Sequence, residues 1–392
     1  MKKDFHDIII LGAGLTGLIL SLSLAKLGIR VCIIDKNDPN KTLADERTTA
    51  ISKGSSNFLD DLKIWSEIKS KAQKIKKIFV SEGVSNNGIS FDCKSVNSEA
   101  MGYIIENKIL KKKLLSAIEK NSLITFIKMT EIKKIERTNS NLNIFKLISR
   151  DKVFQCNLLI GADGRYSKIR SENAFKYLYQ DYRQIAYVFS IKHEEPHGSL
   201  ALERFFPSGP LAILPMKKGR QNQSSVVWTL ENNLSDISEE NLKNLFEKKY
   251  SNYFGKLISM STPVKYKLDL FSCYQDYKNG IILVGDASQA IHPIAGQGFN
   301  LGLRDVKILS EIFAESKELG FTSNCELVHQ KYSRKRKLDK FLLISSTHLL
   351  NKLFSINNKS LGFFRSLGLR LFNKSNFLKR NSILYAMGLK NF

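Results

Sequence analysis

Residues 7–36 read DIIILGAGLTGLILSLSLAKLGIRVCIIDK, and the order of their parts decides the fold. Ile8 to Leu11 form a continuous apolar run, the pattern of a parallel strand covered on both faces. Gly12, Gly14 and Gly17 follow as GxGxxG. The periodicity then predicts a helix from Leu15 to Leu27 stopped at Gly28, and Val31 to Ile34 as a second strand ending in Asp35. A glycine-rich turn alone would carry little weight. Strand, turn, helix, strand and terminal acid in this order read as a dinucleotide-binding unit. Gly12 permits the tight turn, Gly14 lets backbone approach a pyrophosphate, and Gly17 lets helix and strand pack closely. The helix start offers free N–H groups and partial positive charge to phosphate, and Asp35 is placed to accept hydrogen bonds from the adenosine ribose. The candidate contacts here are Gly12, Ala13, Gly14, Leu15, Thr16, Gly17, Asp35 and Lys36.

The chain around this unit has 392 residues, enough for two intimately packed domains, and 43% are hydrophobic, enough for a sizeable core. Lys and Arg number 61 against 37 Asp and Glu, a net charge of +24. Part of that excess reads as solvated lysine-rich faces. Part is regional: from Lys331 to Phe392 there are 14 basic residues and one acid, Asp339, interleaved with Phe341, Leu349, Leu350, Phe354, Phe363, Phe364 and Leu367. Cations beside apolar residues suit an anionic membrane surface or docking onto partner enzymes, and no zinc-finger spacing or RNA-recognition signature points to nucleic acid. Cys32, Cys93, Cys156, Cys273 and Cys325 are scattered, with no CxxC pair and no metal-ligand spacing, so no metal is expected and a reducing compartment is. The apolar run from Ile8 to Ala25 imitates a signal peptide, but its regular glycines and the strand that follows argue for a buried strand and helix. FLLISSTHLL at 341–350 is too short to cross a bilayer. The expected location is cytoplasmic, with peripheral contact on the inner face of the membrane.

Three further segments choose the ligand. FQCNLLIGADGRYSKIR at 154–170 is a strand broken at Gly161-Ala162-Asp163-Gly164. GIILVGDASQAIHP at 280–293 repeats the scheme with Gly285 and Asp286, and HPIAGQGFNLGLRD at 292–305 sets glycines directly before a periodic helical run. Upstream, ADERTTAIS at 44–52 brings Arg47 soon after the second strand. Singly, each reads as an ordinary turn.

Together with GAGLTG, these segments resemble the group A flavin-dependent aromatic hydroxylases, of the fold shared with p-hydroxybenzoate hydroxylase, and most closely the hydroxylases of ubiquinone biosynthesis. HPxAGQGxNxGxxD at 292–305 resembles that group's signature; FFPSGPLAILPM at 205–216, SSVVWT at 224–229 and the tail with FFRSLGL and AMGL are also similar. One departure is Asp35, where such flavoproteins often carry Glu. The resemblance implies that Asp286 holds the ribityl chain of FAD, that Asp163 serves the pyrophosphate and NAD(P)H use, and that Arg47 lies along the cofactor. Pairing of Arg47 with Asp45 or Glu46 is the alternative. Asn107, in IIENKILKKKLL, is placed either at the ribityl region or as a helix N-cap. Gly296, Gln297, Gly298 and Asn300 complete the cofactor candidates, with a helix start near Gly298 aimed at the flavin ring.

The implied activity is a monooxygenation: NAD(P)H reduces the flavin, O2 forms a flavin hydroperoxide, and oxygen passes to the ring of a polyprenylated phenol. No catalytic acid or base can be named; His292, before Pro293, reads more readily as a loop support. The implied architecture is α/β: a Rossmann-like FAD-binding domain with a mostly parallel sheet, a smaller antiparallel-sheet substrate domain, and a helical C-terminal region. The FAD-binding domain is expected at 1–75, 101–175 and 270–330, the substrate domain at 76–100 and 176–269, and a basic helical region at 331–392. Pro215 is expected to face the loop of His292 and Pro293 across the substrate pocket. The alternatives are a related FAD hydroxylase or epoxidase acting on another aromatic or isoprenoid, and a flavin-bound scaffold subunit of a biosynthetic complex.

Overall fold

The computed structural model describes residues 4–39, 45, 47–85, 88–138, 144–219, 221–232, 237–250, 253–322, 325–355, 368 and 372–390. Glu46 and most of FFRSLGL, with Phe363, Phe364 and Leu367, lie outside the described residues.

The opening strand runs Asp4–Leu11, the first helix Leu15–Lys26, and the second strand Val31–Ile34. Ile8 to Leu11 pair in parallel with Val31 to Ile34 on one side and with Leu158 to Gly161 on the other. The sheet continues in parallel to Ile124–Ile127 at one edge and to Ile281–Leu283 at the other. These strands are covered on both faces, which is why they carry unbroken apolar runs: Ile8, Ile9, Ile10, Cys32, Ile33, Leu158 and Ile160 are fully enclosed. Lys134–Arg137 and Phe145–Ile148 add antiparallel strands alongside.

A second, nine-stranded sheet is built on Tyr177–His193, which pairs antiparallel with Gln223–Glu231 and with Val264–Cys273. It extends through Gly209–Pro215 and Leu200–Phe206 to Lys77–Glu82 and Gly88–Asp92. KIFVSEGVSNNGISFDC at 77–93 and AYVFSIKHEEP at 186–196, in which apolar and polar residues alternate as in a strand with one face covered, both contribute strands to this sheet. A third sheet joins Thr48–Ser52, Gly102–Glu106 and Gln73–Ile75. It gives the chain two crossings between the larger sheets.

Two long helices follow. Gln297–Glu318 packs on the first helix, and Glu326–Ser355 packs on Gln297–Glu318. The basic region is not a detached appendage: Tyr332, Arg336, Lys340, Leu343 and Ile344 of the second long helix are buried. The C-terminal helix Asn376–Ala386 returns to the start of Gln297–Glu318, where the Gly54 N–H donates to the Met387 carbonyl at 2.7 Å. Cys32, Cys93, Cys156 and Cys273 are buried and Cys325 is partly exposed; none forms a disulfide. Among the described residues no helix is long and apolar enough to cross a membrane.

Candidate active site and cofactor cleft

At Gly12 the backbone runs at φ 109°, and an added Cβ would sit 2.3 Å from the Ala162 carbonyl oxygen. At Gly17 it would sit 2.0 Å from the Gly12 carbonyl. These two glycines are demanded by the turn's own packing. Gly14 differs: nothing lies within 4 Å of an added Cβ, and the helix it opens has no side-chain cap and no acid in its first turn. Free N–H groups thus meet open space, the arrangement that receives a phosphate. Asp35 accepts from the Ala13 N–H at 2.6 Å and the Asn37 N–H at 2.7 Å, so its carboxylate ties the turn to the second strand. Lys36 is exposed beside it.

The second turn, Gly161 to Gly164, lies against the first through the Ala162 N–H and the Leu11 carbonyl, 2.8 Å apart. Asp163 Oδ2 accepts from the N–H groups of Lys168 and Ile169, opening the short helix there, while Oδ1 is buried without a partner. Arg165 pairs with Asp269 from the other large sheet and donates to its carbonyl at 2.7 Å.

The third turn carries Gly285 and Asp286. Gly285 has φ 60°, and its Cα lies 3.2 Å from where a Cβ on Gly302 would sit. Its N–H donates to Asp305 Oδ2 at 2.8 Å, which also accepts from Gln289 Nε2 at 2.6 Å. Asp305 Oδ1 accepts from Arg336 Nε at 2.5 Å; Arg336 also pairs with Asp339, which pairs with Arg304 at 2.7 Å. Beside this chain of charges Lys340 donates to Asp276 at 2.5 Å and to Ser288 at 3.0 Å. Asp286, the next residue in the turn, keeps solvent exposure although protein groups surround its carboxyl. It accepts no hydrogen bond from any described residue. Burial pushes its carboxyl up from the usual range, against the pull of Arg165 and Arg47.

Arg47 makes a bidentate pair with Asp45, both bonds at 2.7 Å, and its guanidinium lies 5.3 Å from the Tyr266 ring centroid. Burial raises the Asp45 carboxyl, but hydrogen bonds from Arg47 and Asn107 outweigh it and hold the group at about 2. The pairing with Asp45 is thus what the structure holds, and it sets the Arg47 cation at the cleft. Asn107 is not a cap: Glu106 holds the N-cap position, and the Asn107 amide donates to Asp45 at 2.9 Å and accepts from Thr49.

The helix at Gln297 begins after Gly296, which takes the left-handed conformation at φ 61°, and again no side chain caps it. Nothing lies within 4 Å of an added Cβ at Gly298. Gln297 Oε1 is buried with no partner among the described residues. Asn300, expected at the cofactor, bonds to the protein at this helix start: it accepts from the Ser52 N–H at 2.9 Å and donates to the Ala50 and Gly296 carbonyls at 3.0 and 3.1 Å. It staples this helix to the strand Thr48–Ser52.

A cavity of about 640 Å3 opens beside this helix start. Its walls are Ile75, Ile78, Val80, Ala201, Leu214 and Phe205 from the strands, Ile294 before the helix, and Leu350, Phe354, Ile383 and Met387 from the C-terminal helices. The strand Gly209–Pro215 does lie against Ile294–Gly296, but Leu214 and Ile294 line the cavity, not Pro215, His292 or Pro293. His292 is buried; its Nε2 lies 3.2 Å from Gln184 Oε1, its ring meets Tyr182 edge-on, and burial lowers its pKa to about 3. A neutral ring of such low basicity supports the loop and does not serve as a proton acceptor near neutrality.

Two uncapped helix starts, an unanswered carboxylate between them and the lone oxygens of Asp163 and Gln297 fit an extended dinucleotide with a diphosphate, ribityl hydroxyls and a polar ring edge. Sequence reasoning missed Asp305, although it closes the motif at 292–305, and missed Arg165 and Arg336, which carry no local signal.

A family model described as an FAD binding domain matches residues 6–337. The chain is 30% identical over 389 residues to the ubiquinone hydroxylase UbiL of Rhodospirillum rubrum, covering 97% of this chain and 89% of that protein. It is 29% identical to the 3-demethoxyubiquinol 3-hydroxylase of Escherichia coli, covering 99% of this chain and all of the other. The fold is similar to the crystal structure of p-nitrophenol 4-monooxygenase PnpA from Pseudomonas putida, with a TM-score of 0.83 over the full length of both chains at 14% identity. The chain therefore belongs to the FAD-binding monooxygenase family that contains the ubiquinone hydroxylases.

Proposed function

We propose that this protein hydroxylates the aromatic ring of a polyprenylated phenol on the route to ubiquinone, with FAD as cofactor and NAD(P)H and O2 as co-substrates. The observation that carries the reading is the cavity beside the Gln297 helix start. A cavity of about 150 Å3 holds a benzene ring, so 640 Å3 leaves ample space for an apolar tail. Its wall is mostly Ile, Leu, Val, Phe, Met and Ala, with Ser52, Gln297, Asn300 and Ser382 as polar members and Glu203 as the one charged residue among the described lining. Burying each methylene of a tail there contributes about 0.8 kcal/mol.

When bound, FAD supplies the redox chemistry, taking reducing equivalents from NAD(P)H and activating O2. The chain's own residues bind and orient. The N–H groups after Gly14 would hold the diphosphate, Asp286 the ribityl hydroxyls, and the N–H groups at Gln297 and Gly298 the electron-rich edge of the ring. The apolar walls exclude water from the reacting face. The tail enters between the C-terminal helices, whose outer sides expose Leu349, Phe377 and Leu378, residues suited to a bilayer surface.

The test uses purified protein, confirmed to carry flavin by absorbance. NAD(P)H oxidation and product mass are measured with phenols bearing tails of increasing length, and kcat/KM should rise with the tail. Ala201→Phe, which fills the cavity, should lower kcat/KM at least tenfold for a long-tailed phenol and little for a short one. Turnover indifferent to the tail in both proteins would refute the reading.

A further inference from the structure

We propose that the basic cleft between the Asn173–Lys176 turn, the Tyr274–Lys278 segment and the Glu326–Ser355 helix is a binding site for the phosphate headgroup of an anionic phospholipid. The cleft measures about 560 Å3 and is lined by Lys176, Lys278, Arg334 and Lys337, with Ser333 and Tyr274 between them. No acid lines it. Lys278 is held in place by the carbonyls of Asn173 and Ala174, at 3.0 and 2.9 Å, so the turn and the cation are positioned together. Among the described residues no carboxylate pairs with Lys176, Arg334 or Lys337, whereas Lys331 and Lys335 on the same helix both reach Glu315. Three unanswered cations converging on one concavity create a local potential that attracts a phosphate.

The rim selects the source of that phosphate. Arg334, Lys337, Leu338 and Phe341 share one helical stripe, and Phe341 is 64% exposed. Tyr274 on the cleft wall is 63% exposed, and Tyr177 and Leu178 beside Lys176 are exposed as well. A soluble phosphate ligand gives no reason for Leu338, Phe341 and Leu178 to stand in water. A headgroup with its acyl boundary does, because tyrosine, leucine and phenylalanine around cations match the polar-to-apolar gradient of a bilayer surface. This inference stands on the cleft and not on the nature of the hydroxylated substrate.

The experiment is flotation of the full-length holoenzyme with vesicles of phosphatidylcholine containing 30% phosphatidylglycerol. Each cation near an anionic leaflet multiplies partitioning by about five, so Lys176→Gln/Arg334→Gln/Lys337→Gln together should weaken binding on the order of 100-fold. A second triple variant, Lys120→Gln/Lys192→Gln/Lys243→Gln, changes net charge equally outside the cleft and should keep most of the binding. Flavin absorbance and turnover of a short, water-soluble phenol read fold and activity separately, so a failure of the lipid site is distinguishable from a failure of the proposed function. Equal loss in both variants, or unchanged vesicle binding in the cleft variant, overturns the proposal. So does a result in which the cleft variant loses only its binding of inorganic pyrophosphate, which would make the ligand a soluble phosphate.

Discussion

Asp286 and Asp305 flank one turn, and burial pushes both carboxyls up, yet the protein answers them differently. Asp305 accepts from the Gly285 N–H, Gln289 and Arg336, leaving it no unmet lone pair of consequence. Asp286 receives nothing from the described residues and is exposed. The difference separates a carboxylate that builds the turn from one that the turn presents. A raised pKa alone would have ranked them together, although Asp305 is fully buried and Asp286 is exposed.

The comparison breaks most visibly on the Asp305 side. Arg336→Met strips the cation from a fully enclosed pair and should cost about 3–5 kcal/mol, read as the urea midpoint. Asp305→Asn/Arg336→Met should recover more than half of that loss; a single variant within 1 kcal/mol of the parent would mean that the network is not what holds the turn. On the other side Asp286→Ala should weaken FAD retention by about 10- to 100-fold, from the loss of charge-assisted hydrogen bonds. Apoprotein stability should stay within about 0.5 kcal/mol. An equal loss of stability would erase the distinction drawn here.

His292 sharpens the comparison as a third buried titratable group, supported at Nε2 and carrying no charge. Its folded pKa of about 3 lies below the ordinary 6.5, so below pH 6.5 the unfolded chain takes up a proton that the folded one refuses. Stability should fall as pH drops from 6.5 toward 3, by up to about 1.4 kcal/mol per unit from this group. His292→Gln should flatten that slope in urea titrations run from pH 7 to 5, and an unchanged slope would assign it to other groups. The smallest effect is expected at Gly298. Gly298→Ala should stabilise the apoprotein helix by about 0.5 kcal/mol while weakening FAD. Stabilisation with undiminished FAD binding would show that no close approach occurs there.

Much of this was legible in the sequence where the cause is local. The run from Ile8 to Asp35 dictates its own strand, turn and helix. Gly12 and Gly17 are fixed by backbone so close that an added Cβ would sit 2.3 and 2.0 Å from a carbonyl oxygen, which only glycine avoids. The alternation in AYVFSIKHEEP likewise announced a strand. What escaped depends on partners far along the chain. Arg336 meets Asp305 across 31 residues, and nothing near either residue specifies the pairing. Asn300 reads as a ligand contact because it sits in a glycine-rich motif; its bond to Ser52, 248 positions away, carries no such local signal. The motif fixed the place of its amide and left the bonding to a strand that periodicity could not position.

The cysteines have a bearing on survival in an enzyme that handles oxygen. Burial raises the thiols of Cys32, to about 12, and of Cys273, to about 11, and those of Cys93 and Cys156 also rise. Peroxide attacks the thiolate, not the thiol, so these side chains offer almost no reactive form at neutral pH. Oxidant released by a failed turnover therefore meets sulfur that is both enclosed and protonated, with Cys325 the most accessible of the five.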